Sequence, residues 1–334
     1  AQAALSDITD DQTRAQGLGL TGAAFGLGFI LGPVISLIAL EFSDSLTLPA
    51  LIAAVYSFLS ILLTLFSFKE TLPAETIAAR RNAPATIKRL PLFAALGWLA
   101  DPRLNLLLVM MFAQQFIFFA FESLLGLYTL NRLGMLGQGN AVIFIVVGIL
   151  LVIVQLRFIG KWSRQYGEHN LVRLSLGLLA AGLLLMAIIP QQPHPFYVQR
   201  IVENKIATWS PSGTEAIIGE LPIELPSDAN RGIGGILLTL VAVVPLSIGA
   251  GLIRPSLNSL MTKQVSSADY GSVLGVSASF VSAANAFAPL IAGLVFQRFG
   301  ATAPFLLGGI LMTFLCLISL VAVKQVKNEL IQAS

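Results

Sequence analysis

The sequence predicts an all-α membrane protein, a bundle of eight transmembrane helices, and two observations carry that reading. Hydrophobic residues make up 56% of the 334 positions and charged residues only 11%, whereas soluble domains carry about a quarter charged residues. So little polar surface does not cover a globule in water, and lipid takes the place of water around it. The charges that do occur fall between long uncharged runs. A span needs about 20 apolar residues, and a charge at mid-bilayer costs roughly 2.5–3.5 kcal/mol on insertion scales, so the uncharged runs mark the spans.

Taken in order, the first two runs lie between Arg14 and Glu41 and between Asp44 and Lys69. The third extends from Arg103 to Arg132 and is interrupted only by Glu122. The remaining five are Arg132 to Arg157, Arg173 to Gln191, Arg231 to Arg254, Asp269 to Arg298, and Arg298 to Lys324. These runs lack the two-residue alternation of barrel strands and are longer than such strands, which makes an outer-membrane barrel a poor alternative.

Two connections divide the chain. Residues 69–103 form a basic, proline-containing linker that separates two spans (1–68) from six (104–334). Residues 190–231 form a long loop on the opposite side, carrying Glu203, Glu215, Glu220, Glu224 and Asp228. Long loops tolerate extra length at little entropic cost, so this one reads as a solvated insertion. Positive charge sets the orientation. With residues 1–16 in the cytoplasm, most Lys and Arg fall on that side, including Arg80, Arg81, Lys88, Arg89, Lys161 and Lys263. Only Arg132, Arg200, Lys205, Arg231 and Arg298 fall outside. That asymmetry is the positive-inside pattern and predicts a multi-pass plasma-membrane protein with both ends of this chain cytoplasmic.

The composition also excludes chemistry. The single Cys316 and the two histidines, His169 and His194, offer no disulfide framework and no metal-ligand spacing. No phosphate-cradling glycine loop, hydrolase elbow or zinc helix occurs. The chain reads as no enzyme, with no cofactor, no metal, no nucleic-acid partner and no direct ATP drive. Residue 1 is Ala rather than Met, with no charged leader after it, and the chain reads as an internal piece of a longer protein.

An internal repeat is visible when Pro33 is placed over Pro289. Gly19 then meets Gly275, Gly22 meets Ala278, Gly26 meets Ser282, Gly28 meets Ala284 and Gly32 meets Ala288. Both helices thus carry a stripe of small residues, which lets backbones approach closely, and then a proline that loosens the hydrogen-bond ladder.

The segment Asp7-Ile8-Thr9-Asp10, then Arg14-Ala15, then Gly22-x-x-x-Gly26-x-Gly28-x-x-x-Gly32-Pro33 resembles the helix 4–5 loop and helix 5 of major facilitator superfamily transporters. It is most similar to the drug/proton antiporter branch that includes bacterial tetracycline exporters. The glycine pair that follows in that branch is replaced here near Ser36 and Leu37. The loop Gly160-Lys161-Trp162-Ser163-Arg164-Gln165-Tyr166-Gly167 resembles the second copy of the superfamily's cytoplasmic glycine/arginine motif.

The resemblance implies a twelve-helix bundle of which this chain carries eight. Residues 1–68 would hold the tail of helix 4 with helices 5 and 6, and residues 69–103 the central cytoplasmic linker. Residues 104–334 would hold helices 7–12. It further implies a monomeric secondary transporter of small organic solutes, coupled to protons and working by alternating access, with a uniporter or symporter as the alternative. A non-transporting receptor or membrane enzyme is the distant alternative. In the superfamily an acid at the Asp7 position latches a cytoplasmic gate. Asp7, Arg14, Gly160, Arg164 and Gly167 are the gate candidates on that ground, and Gly22, Gly26, Gly28, Gly32 and Pro33 the antiporter-motif helix.

Four residues are candidates for substrate or proton chemistry. Glu122 lies deep in the third run, where an ionisable group needs a cavity or a partner. Gln115 is seven residues earlier and so on the same helix face, with Gln114 beside it. Asn285 lies on the second helix of the repeat. These amides suit either substrate contact or interhelical hydrogen bonds. Arg254 and Lys263 read as topology anchors.

Overall fold

The computed structural model describes residues 4–5, 9–10, 13–42, 47–67, 101–209, 224–266 and 269–332. Asp7 and nearly all of the 69–103 linker lie outside these. Among the described residues, eight helices are long and apolar enough to cross a membrane. Helix is what apolar spans must adopt, because lipid offers backbone N–H and C=O groups no partner outside the segment.

The helices run α1 (Arg14–Phe42), α2 (Thr47–Ser67), α3 (Pro102–Leu133), α4 (Gly137–Ile153), α5 (Ile159–Tyr166) and α6 (Glu168–Ala187). A short α7 (Gln199–Trp209) is followed by α8 (Gly234–Lys263), α9 (Tyr270–Phe299) and α10 (Ala303–Gln332). One π-helical turn, Val154–Phe158, joins α4 to α5 and makes them a single span.

Local signals set several boundaries. Asp10 and Thr13 close a reciprocal cap ahead of α1: the Thr13 amide donates to the Asp10 carboxylate at 2.7 Å and the Asp10 amide to the Thr13 hydroxyl at 3.2 Å. Gly167, at φ 75°, turns the chain between α5 and α6 in a conformation that costs other residues strain. Pro33 in α1 and Pro289 in α9 stand at the same position counted from the first residue of each helix, in register with the repeat.

One continuous apolar core joins α1, α3, α4, α6, α8, α9 and α10. It closes through glycines. A side chain at Gly249 would meet the Ser175 carbonyl at 2.7 Å, and one at Gly148 would meet the Gly26 carbonyl at 2.7 Å. The α6/α8 and α1/α4 seams are thus backbone-close contacts. A side chain placed at Gly28 or Gly32 would meet nothing within 4 Å among the described residues, so only part of the α1 stripe is packed against them. Helix α2 has no buried residue and presents apolar side chains all round.

The bundle has two distinct ends. At one, which we call the basic end, the starts of α1, α6 and α9 meet α5 and the end of α8. At the other, the loop end, the Tyr128 hydroxyl of α3 donates to the Met186 carbonyl of α6 at 2.6 Å. There the Gln192 and His194 amides donate to the Arg132 and Leu133 carbonyls, each at 3.0 Å.

Two findings differ from the sequence reading. The described parts of the 190–231 loop are folded back on the bundle: Tyr197 and Val202 pack with Leu130 in a separate apolar cluster, and the Asn131 side chain donates to the Glu224 carbonyl at 2.7 Å. The loop's few apolar residues cover the end of α3, which its acidic composition concealed. Further, α8 does not stop at Arg254 but continues to Lys263, about 13 Å further along at helical rise. A charge inside a helix is tolerated when it faces a polar cavity, and Arg254 does so.

Candidate functional site

Helices α1, α3, α4 and α8 converge on a cavity of about 250 Å³. Its apolar wall includes Leu18, Phe25, Phe118, Leu151 and Ala250, and its polar wall Thr21, Gln114, Gln115, Gln155, Arg254 and Asn258. Apolar walls with a few convergent polar groups are the usual composition of a small-molecule site, although this volume falls just below the common range of about 300–1,000 Å³.

Each polar group is placed by its helix. Gln114 and Gln115 are buried on α3; the Gln115 Nε2 donates to Asn285 Oδ1 of α9 at 2.9 Å. Asn285 therefore positions Gln115 and is not itself part of the cavity wall. Asn258 on α8, 2% exposed, accepts from the Ser277 hydroxyl at 3.1 Å. Gln155 sits on the π turn. Its Oε1 is buried without a hydrogen-bond partner among the described residues, and its carboxamide fills the space that a side chain at Gly22 would take. A π turn adds a residue to one helical turn, which re-aims a side chain and recurs at functional sites. The sequence offered no sign of it.

Arg254 is the one cation of the cavity wall, and no carboxylate lines that wall among the described residues. Among the described residues, no ion pair or hydrogen bond ties its guanidinium.

Glu122 is on α3, about 10 Å beyond Gln115 at helical rise, and does not line the cavity. Its Oε2 is buried without a hydrogen-bond partner among the described residues.

The gate candidates divide. Arg14 is 4% exposed, stacks 4.6 Å from the centre of the Tyr270 ring, and reaches the Thr9 carbonyl at 3.4 Å. It thereby ties the start of α1 to the start of α9. Gly160 abuts Gln16 of α1, Gly167 makes the corner, and Arg164 is exposed. The strongest polar contact at this end was not foreseen. Buried Glu168 accepts from Lys263 at 2.6 Å, Ser163 at 3.1 Å and Ser259 at 3.2 Å, joining α5, α6 and the end of α8. Lys263, read as an anchor, is a partner in this cluster. Its two charges lie 95 positions apart in the chain, a pairing only the fold makes visible.

These features agree with what the chain is similar to. The profile of the Major Facilitator Superfamily matches residues 1–201. The chain belongs to the Major Facilitator Superfamily. Among its relatives is "Multidrug resistance protein 1" of Bacillus subtilis, 24% identical over 88% of this chain and 61% of that protein. "Tetracycline resistance protein, class H" of Pasteurella multocida is 27% identical over 56% of this chain and 45% of that protein. The chain thus spans about 60% or less of the length of these relatives. The crystal structure of the human organic anion transporter MFSD10 (TETRAN) superposes with a TM-score of 0.68 at 22% identity, covering 95% of this chain and 66% of that one. That likeness concerns the fold. The resemblance drawn from the α1 residues is borne out, and the eight spans are those of a multi-pass superfamily member.

Proposed function

We propose that the protein is a secondary transporter that moves small organic solutes across the membrane by alternating access, with protons as the coupling ion. The observation that carries this reading is the cavity itself: an amide- and arginine-lined pocket at the meeting of α1, α3, α4 and α8, in a superfamily member with drug-resistance relatives. In this reading the basic end faces the cytoplasm and the protein acts as a monomer in the plasma membrane. The helices up to residue 68 and those after residue 103 belong to two halves that rock about the cavity. Helices α1 and α4 touch through Gly26 and Gly148, a contact of small residues that lets one helix slide on the other. Gln114, Gln115 and Gln155 contact solute. Glu122, half-buried with its Oε2 out of reach of a hydrogen-bond partner among the described residues, binds and releases the coupling proton as its surroundings open and close.

Everted vesicles from cells expressing the gene that encodes this chain test the proposal. With an imposed proton gradient they should accumulate at least one of tetracycline, ethidium or 4-fluorobenzoate, and adding that solute should discharge the gradient. A Glu122→Gln variant should keep solute binding but lose the discharge. Accumulation without any response to the gradient would identify a uniporter. No accumulation of any of the three, beyond that of vesicles lacking the protein, would contradict transport.

A further inference from the structure

We infer that the cavity selects a small organic anion, whose carboxylate is held by Arg254. The inference rests on the reading of this cavity as a solute site and adds the charge of the solute. Arg254 lies well inside α8, part-way along the span rather than at its end. Arg254 is half-buried there; a cation in such a place without compensation is costly, and charges drawn out of water are as a rule paired. Here no such acid is found among the described residues: none lines the cavity with a carboxylate, and none gives the guanidinium a hydrogen bond or ion pair. The nearby acid–base cluster does not serve it, because Glu168 is committed to Lys263, Ser163 and Ser259. A guanidinium open to a pocket presents a planar fork of donors that matches two carboxylate oxygens.

The surroundings extend the description. A second positive charge brought beside Arg254 is repelled, and more strongly in a low-dielectric site than in water, so cationic solutes are disfavoured. Gln155 Oε1 is a buried acceptor with no donor and matches an O–H or N–H elsewhere on the solute. Phe25 and Phe118 supply apolar contact for a ring or short chain. The ligand class that satisfies all three is a small carboxylate with an apolar body and one hydrogen-bond donor.

The test uses the protein purified into nanodiscs of zwitterionic lipid, with binding read by ¹⁹F NMR line broadening. Three probes share one ring: 4-fluorobenzoate, 4-fluorobenzyl alcohol and 4-fluorobenzylamine. The benzoate should bind most tightly and the protonated amine least. Arg254→Gln should weaken the benzoate at least about tenfold, as loss of a charge-assisted bidentate contact implies, and leave the alcohol unchanged. Arg254→Lys should fall between. If Arg254→Gln does not fold, the order of the three probes on the unaltered protein still decides. Equal binding of the three, preference for the amine, or benzoate binding indifferent to Arg254→Gln would overturn the anion assignment and leave the transport reading standing. Failure of all three to bind would overturn both.

Discussion

The carboxamide of Gln155 occupies the space that a side chain on Gly22 would need, so a glycine of α1 and a π turn in the α4–α5 span are fitted to one another. Through that contact the small-residue stripe of α1 holds a polar group at the cavity wall.

Gly22→Ala should therefore act on Gln155 first. The alanine methyl displaces a flexible amide rather than a backbone, so the stability loss should be about 1 kcal/mol, at the low end for overpacking. Gly148→Ala, which meets the Gly26 carbonyl, should cost more, up to about 3 kcal/mol. Gly28→Ala, with nothing within 4 Å, should be neutral within about 0.5 kcal/mol. Thermal unfolding in detergent ranks the three. In a double-mutant cycle, Gly22→Ala with Gln155→Ala should cost less than the two singles added.

The Arg14–Tyr270 stack should hold the basic ends of α1 and α9 together. A cation over an aromatic ring is worth about 0.5–2 kcal/mol, so Tyr270→Ala should shift the opening equilibrium there by about two- to thirty-fold. Tyr270→Phe, which keeps the ring, should change little. Thiol reactivity of a cysteine introduced at Ala15, which is buried in this structure, compared between the two variants, reads this directly. Equal reactivity in both would mean the stack does not latch.

The Glu168–Lys263 pair should show the asymmetry of buried charges. Lys263→Met leaves the carboxylate facing only Ser163 and Ser259 and should cost about 1–3 kcal/mol, below the fully buried range because the Lys263 side chain is 31% exposed. Adding Glu168→Gln should recover part of that loss. Melting temperatures of the two singles and the double measure it.

At the loop end, Asp228 accepts from the Gln199 amide at 3.0 Å, at the start of α7, and pairs with Arg231 at 2.9 Å. The Arg231 guanidinium, then the Gln199 amide, hold its carboxyl below the usual value. With a lowered folded-state value, the contribution is present above the unfolded carboxylate value of about 3.9 and is lost as pH falls through the folded one. Hydrogen exchange should show α7 protected at neutral pH and exposed in acid. Asp228→Asn should weaken that protection at neutral pH already.

The spans were legible in the sequence because bilayer thickness imposes run length and charge marks the ends. The same ruler misplaced the end of α8, since it does not distinguish a charge at the interface from one facing a cavity, as Arg254 does. The stripe on α1 was legible as small residues, but which glycines are packed depends on neighbours such as Gln155 and Gly148, and among the described residues nothing stands where a side chain at Gly28 or Gly32 would go. Of the amides, Gln114 and Gln115 line the cavity and Asn285 supports one of them; periodicity gave their face but not their partners. Gln155 went unnoticed because a π turn shifts the helical register, and Glu168 because its partner lies far away in the chain.

The central claim is that this cavity is exposed to each side of the membrane in turn. Thr21→Cys, in a Cys316→Ser background, places one thiol in the cavity wall, and a membrane-impermeant thiol reagent is added to right-side-out or everted vesicles. The account predicts labelling from both sides, with the two rates changing in opposite directions when a proton gradient is imposed. Labelling from one side alone under every condition, or from neither, would contradict it.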